Sequence, residues 1–539
     1  MAQTQEADEP YQGHEARAPV VDDAVIATGI NPRLIVILVF LGFGSTSMGY
    51  ASSIIATTLS QPSWYQSLHL YTASNSTALI GATNGLFYTG GAFGSLFSGF
   101  IVHKYGRKKC AALAALIILI ASALITASQH IGMFVTFRFF QGWGSFQMLS
   151  AIPLWMAELV PPKKRGLLVQ IHPAMINFGY TAATYTGIGF FHYSGGGDDQ
   201  WRGPIGLAGL FPFLFLIGLY WIPESPRFLI SNGRTDEAWD ILRRLHSNPK
   251  DPEHLFAKKE LYQIHQQVQL DNAQSVDIKS GYLNIFEKKS LRKRAFIAMF
   301  LTFSQMSSGA LVVNNYGGLI YKSLGFDSAA VLQIQGGYQL CGWVVNTLCM
   351  FVIDRFSRNK LMSFGYFTCG VTVIIEAVLQ KYYLGTTNHA GLGACAAMLF
   401  LNVIFFGLFV EGAGFTYVAE IWPTYARGEG YALGMCTLCV TSIIWLQSSP
   451  TAFDTIGWKF YIIFIVFDAI AMVVVWFYPD TRGKPLEEVG ALFGDKDMVA
   501  VFQSDLDTGK SLQFLDMGNS GEAIKVDSNH IENAREAQN

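Results

Sequence analysis

The sequence predicts an all-α membrane protein of twelve transmembrane helices in two six-helix bundles, and three observations carry that expectation. Hydrophobic residues make up 51% of the 539 and charged residues 14%, whereas a soluble globular domain carries about 25% charged residues. Apolar runs near the roughly 20 residues needed to cross hydrocarbon fall into two sets of six, one on each side of the polar stretch 224–294. The two sets also echo one another in sequence.

The first set of spans is read at 34–56, 79–102, 110–128, 131–156, 168–192 and 204–222. The second is read at 295–320, 329–353, 361–380, 393–418, 430–449 and 458–478. The chain thus divides into a tail (1–33), a first bundle (34–222), a linker (223–294), a second bundle (295–478) and a second tail (479–539). Residues 1–30 hold no apolar core behind a basic start, so the first span is expected to act as an uncleaved anchor. Lys and Arg set the orientation. Lys104, Arg107, Lys108 and Lys109 follow the second span, Lys163, Lys164 and Arg165 the fourth, and Arg355, Arg358 and Lys360 the eighth. The opposite loops offer only Arg202, Lys322, Lys381 and Lys459. Both termini and the linker are therefore expected in the cytoplasm of a multi-pass plasma-membrane protein. Asn75, in a glycosylation sequon with Ser76 and Thr77, falls in a loop that this orientation places outside. Charge patterning at 235–245 and 253–269 predicts short amphipathic helices in the linker.

The repeat is visible residue by residue. Trp155, Ala157, Glu158, Pro161, Arg165 and Gly166 reappear at one constant offset as Tyr417, Ala419, Glu420, Pro423, Arg427 and Gly428. A second echo links Gly106, Arg107 and Lys108 to the run Asp354 to Arg358. Halves that repeat one another build many secondary transporters, with the substrate site at mid-membrane between them. Glu158, Arg165, Glu420 and Arg427, with Arg107, Asp354 and Arg358, are candidates for salt bridges that close the cytoplasmic side. The plainer reading of the same residues is boundary charge that fixes topology. The seven cysteines show no paired or metal-ligating spacing in a polar segment. No phosphate loop or nucleophile elbow is present either, so neither cofactor, metal nor enzymatic activity is expected. The basic residues flank spans, which argues against nucleic-acid binding. The expected partners are a small-molecule solute and the lipid bilayer.

Several motifs are more specific. Pro223-Glu224-Ser225-Pro226-Arg227 follows the sixth span, and Pro479-Asp480-Thr481-Arg482-Gly483 with Leu486-Glu487-Glu488 follows the twelfth. Arg138, Gly142 and Gly144 lie in the fourth span, Gln305 and Gly309 in the seventh. In these motifs the chain resembles the sugar porter family of the major facilitator superfamily, especially its fungal hexose and lactose permease-like branch. The resemblance runs over about 31–490. It implies the major facilitator fold and transport of a sugar or sugar-like small polar solute by alternating access.

The family's sugar-site pattern is altered here. Ala51 stands where proton-coupled members carry Asp, so Arg138 loses its family partner and is left to bond backbone carbonyls or water near the first span. Pro173, Met306, Leu311, Phe415, Cys439 and Ser442 replace polar or stacking residues of the pattern, and His103 and Ser357 depart from the loop motifs. Fewer hydrogen-bonding groups suit a less polar solute, because each sugar hydroxyl needs a partner once water is stripped away. Gln305, Asn314, Asn315, Phe415, Gln339 and Asn177 are the candidate solute contacts, with Tyr316 and Gln335 beside them; interhelical hydrogen bonding is the alternative role for each polar one. Glu411, Arg138 and His172 are the candidate coupling residues. Efflux of a small polar metabolite and a non-transporting nutrient sensor are the alternative functions. The orientation has a direct test. A cysteine placed in the linker is expected to resist impermeant thiol reagent on sealed cells while one placed beside Asn75 reacts, and rapid labelling of the linker would overturn the topology.

Overall fold

The computed structural model describes residues 31–494 apart from 60, 72–75, 162–163, 194–196, 248–250, 252–253, 276–280 and 485–488. Asn75, Lys163, the Leu486 to Glu488 motif and most of both expected tails lie outside the described residues. The described chain is almost wholly helical. The first half contains α1 (Pro32–Thr58), α2 (Ser76–Tyr105), α3 (Arg107–Thr126), α4 (Ile131–Leu159) and α5 (Ile171–Phe191). Its sixth span begins at Asp199 and ends in α6 (Leu210–Gly218). The linker contributes α7 (Pro226–Ser231), α8 (Thr235–Leu245) and α9 (Leu255–Ser275). Ala238, Leu242, Ala257, Leu261 and Ile264 pack together there, as the amphipathic pattern predicts.

The seventh span breaks into α10 (Lys289–Met306) and α11 (Ala310–Ser323). Gly309 makes the break with a φ of 86°, a left-handed conformation that glycine adopts without a Cβ penalty. There follow α12 (Ser328–Cys349), α13 (Arg358–Tyr383), α14 (His389–Phe405), a π-helical turn (Phe406–Glu411), α15 (Gly412–Glu420), α16 (Arg427–Ile456) and α17 (Tyr461–Trp476).

Among the described residues eight segments are long and apolar enough to cross a membrane, and the last of them, Arg427–Trp476, contains both α16 and α17. α4, α5 and α12 complete the twelve. These three are diluted by polar side chains: Arg138, Gln141 and Gln147 in α4, His172 and Asn177 in α5, Gln335, Gln339 and Asn346 in α12. All eight of these side chains are buried. The least apolar spans are thus sheathed by their neighbours, which is where a membrane protein can satisfy polar groups. The outer faces differ. Phe93, Phe97 and Phe100 on α2, Ile374 and Ile375 on α13, and Val466, Ile470 and Val473 on α17 are exposed, and lipid tails match them.

Within the first half α2 packs on α4 and α1 on α5; within the second α13 packs on α17 and α10 on α16. Two seams join the halves, α2 against α16 and α5 against α12. The α2–α4 contact is a backbone-to-backbone approach through small residues. A Cβ on Gly142 would overlap the Phe87 carbonyl, and one on Gly90 or Gly94 would overlap the Phe139 or Trp143 carbonyl. Gly142→Val is therefore expected to destabilise the protein by about 1–3 kcal/mol or more, read as a lowered melting temperature in detergent; an unchanged melting temperature would rule out so close a packing.

Candidate functional site

A cavity lies between the halves, with about 710 Å³ of empty space including its opening to solvent. Eleven of its nineteen lining residues are apolar, among them Met48, Phe146, Met306, Phe406 and Phe415. The polar ones are Tyr88, Asn177 and Tyr180 from the first half and Asn314, Tyr338, Gln339, Glu411 and Ser442 from the second. Of the expected contacts, Asn177, Asn314, Gln339 and Phe415 thus line the cavity. Ser442 stands at a position that the family pattern marks; the three tyrosines carry only the signal of a polar tip among apolar residues, which the sequence shares with many lipid-boundary tyrosines.

Glu411 ends the π-helical turn and joins both halves. Its carboxylate accepts from Asn177 Nδ2 of α5 at 3.3 and 3.2 Å and from Asn346 Nδ2 of α12 at 2.8 Å. Asn346 has no place in the family pattern and only the fold shows its role. Asn314 Oδ1 accepts from Gln339 Nε2 at 2.7 Å, and its carbonyl accepts from Gln335 Nε2 at 2.9 Å.

Three expected residues stand behind the cavity wall. Gln305 is buried, and its Nε2 donates to the carbonyls of Val410 and Glu411 at 3.3 and 3.2 Å. A π turn widens the backbone spiral there, and the Gln305 amide answers the carbonyls at its end. Asn315 donates to the Leu311 carbonyl at 3.0 Å. His172 Nδ1 shares a 2.7 Å hydrogen bond with Ser45 Oγ, and its ring meets Phe415 edge-on at 5.9 Å between centroids. Arg138 donates to the Ala51 carbonyl at 2.8 Å and to Gln141 Oε1 at 2.7 Å, with its guanidinium 4.2 Å from the centre of the Phe87 ring. The backbone of the residue that replaces the family's Asp therefore takes the Arg138 bond.

The repeated charges converge at the end of the bundle that carries the basic loops. Glu158 Oε1 meets Arg107 Nη2 of its own half at 2.7 Å and Arg427 Nη1 of the other half at 3.4 Å. Ser225 Oγ donates to Glu158 Oε2 at 2.6 Å. The second half repeats the pattern. Arg358 Nη2 meets Glu420 Oε1 at 2.9 Å, Thr481 Oγ1 donates to Glu420 Oε2 at 2.8 Å, and Arg165 of the first half acts on Glu420 electrostatically. Asp354 lies 3.7 Å from Arg358 and accepts from the Leu167 backbone N–H at 2.8 Å across the seam. Glu224 and Asp480 match as well, accepting the backbone N–H of Arg107 and of Arg358, each at 3.1 Å. Burial raises the pKa of the Glu224 carboxyl, against the lowering effect of backbone N–H groups and Arg107. The Pro-Glu-Ser and Pro-Asp-Thr motifs are thus one structural device used twice, which the order of residue types in the two motifs already encodes.

The two roles open to Gln305 separate experimentally. Gln305→Leu leaves the Val410 and Glu411 carbonyls without that donor, at a cost of about 1–3 kcal/mol. A lowered melting temperature without any solute is expected; full stability with altered solute affinity alone would contradict the supporting role.

Comparison with known proteins agrees with this architecture. Residues 37–493 match the family model described as Sugar (and other) transporter. The chain is 27% identical over 463 residues to the MFS-type transporter criB of Aspergillus cristatus, covering 86% of this chain and 93% of that protein. It is 28% identical over 428 residues to the sugar transporter STL1 of Saccharomyces cerevisiae, covering 78% and 73%. Its fold matches that of the proton:xylose symporter XylE bound to 6-bromo-6-deoxy-D-glucose with a TM-score of 0.75 at 21% identity, over 85% of this chain and 99% of that one. The chain therefore belongs to the Sugar (and other) transporter family of the major facilitator superfamily and is a multi-pass membrane transporter.

Proposed function

We propose that the protein carries a sugar or sugar-like small polar solute across the plasma membrane by alternating access, with both termini and the basic loops on the cytoplasmic side. The observation that carries this reading is the cavity between halves that are joined, at the basic end, by paired carboxylate–arginine contacts. Asn177, Asn314, Gln339, Tyr88, Tyr180 and Tyr338 offer partners for hydroxyls, and Phe415 offers a ring face. Segments 34–222 and 295–478 move against each other in this account, and the Glu158–Arg427 and Asp354–Leu167 contacts are the cytoplasmic closure. The similarity to the sugar transporter STL1 supports the substrate class.

Energy coupling follows from Ala51 and Arg138. The Asp that pairs with this arginine in proton-coupled members is absent, and the arginine is held by the Ala51 carbonyl. We therefore favour a uniporter, with Glu411 as the alternative proton carrier. Reconstituted vesicles are expected to exchange labelled glucose or another hexose by counterflow and to equilibrate it without accumulation under an imposed pH gradient. No counterflow with any sugar would defeat the substrate reading. Accumulation that Glu411→Gln abolishes would replace the uniporter by proton coupling through Glu411.

The closure has its own test. Removing one member of a buried charge network leaves a carboxylate less compensated, at a cost of about 3–5 kcal/mol for a tightly buried pair, enough to shift two states separated by a few kcal/mol. Arg427→Ala and Arg165→Ala are expected to slow exchange several-fold and to raise thiol reactivity of cysteines placed on the cytoplasmic side of the cavity. Unchanged reactivity in both variants would mean that these residues fix topology only.

A further inference from the structure

Glu411 is the only charged residue among the nineteen that line the cavity. Its three hydrogen bonds come from neutral amides, those of Asn177 and Asn346. These orient the carboxylate without cancelling its charge. No Lys, Arg or His is among the described lining residues. Arg138 and His172 are committed elsewhere: Arg138 to the Ala51 carbonyl, Gln141 and the Phe87 ring, and His172 to Ser45. A carboxylate inside a mostly apolar wall is neutralised either by taking up a proton or by a counter-charge, and a bound solute is one source of the counter-charge.

The rest of the wall indicates what kind of cation would supply it. Tyr88, Tyr180, Tyr338, Phe146, Phe406 and Phe415 surround the same space, and aromatic faces attract ammonium groups. A hard inorganic ion is a poor match, since it asks for about six oxygen ligands and the wall offers a single carboxylate. The amides of Asn314 and Gln339 stand on the same wall for a neutral, hydroxylated part of a ligand.

We propose that the solute carries a protonated amine, and that Glu411 is its recognition residue, held between the halves by Asn177 and Asn346. An amino sugar or a hydroxylated organic ammonium ion has the required chemistry. The inference rests on the reading of this cavity as the solute site. The Glu411 carboxylate binds the ammonium through charge-assisted hydrogen bonds, the two asparagine amides keep its oxygens aimed inward, and the aromatic rings pack on the C–H surface next to the nitrogen.

The test is calorimetric titration of the purified full-length protein near neutral pH with four probes: D-glucose, D-glucosamine, N-acetyl-D-glucosamine and ethanolamine. Glucosamine and N-acetylglucosamine differ at one nitrogen, charged in the first and neutral in the second. Glucosamine is expected to bind about tenfold more tightly than either neutral sugar, a difference of about 1.4 kcal/mol, and ethanolamine is expected to compete with it. Glu411→Gln is expected to bring the glucosamine-to-glucose ratio to about one. Glu411→Asp, which keeps the charge, is expected to retain a preference for the amine and provides a second variant should the glutamine fold poorly. Equal binding of glucose and glucosamine by the unaltered protein, or a preference that survives in Glu411→Gln, would overturn the inference and leave the cavity reading standing. Binding of none of the four would overturn both.

Discussion

A polar group inside the bilayer must find its partner within the protein, and here several of the costliest groups find theirs across the seam between the two halves. Glu158 depends on Arg427, Glu420 feels Arg165, Asp354 takes the Leu167 N–H, and Glu411 takes Asn177. Each of these contacts is also backed by a partner from its own half, such as Arg107, Arg358 or Asn346. That double arrangement is what an alternating device requires. When the halves part, no carboxylate is left wholly without a donor, so the separated state costs a few kcal/mol rather than the much larger penalty of an isolated buried charge.

The repeat gives this arrangement its economy of parts. A Glu at the end of the fourth or tenth span, an Arg after the second or eighth, and a hydroxyl from the motif after the sixth or twelfth form the same triad in both halves. The halves are not equal, however. Asp354 crosses the seam in the second half, while the corresponding position of the first half is His103, which is exposed. The central cavity is also uneven: the charged member comes from the second half alone, and the first half answers with an amide.

Much of this was legible in the sequence. The spans follow from apolar length, and the residues that meet at the basic end follow from the constant offset between the repeats. The bond between Arg138 and the backbone of the first span follows from the absence of an Asp at Ala51. The rest depended on backbone irregularities. Hydropathy carries no mark of the break at Gly309 or of the π turn before Gly412, since both leave the apolar run intact. The motif that Gln305 shares with Gly309 implies a solute contact; the carbonyls at the end of the π turn claim its amide instead. Asn346 is one of several amides in its span, and only the Phe406–Glu411 turn brings the Glu411 carboxylate to it. Glu411 lies about one helical turn before Phe415 in the sequence, and both line the cavity.

In the proposed cycle the basic end opens and closes by making and breaking charge pairs between halves. Spin labels at two exposed positions there, Lys109 on α3 and Lys360 on α13, report that movement directly by dipolar spectroscopy in lipid nanodiscs. The account predicts a short-distance population in the unaltered protein and growth of a longer one in Glu158→Gln, which removes the charge shared by Arg107 and Arg427. A single distance, identical in both proteins, would contradict it.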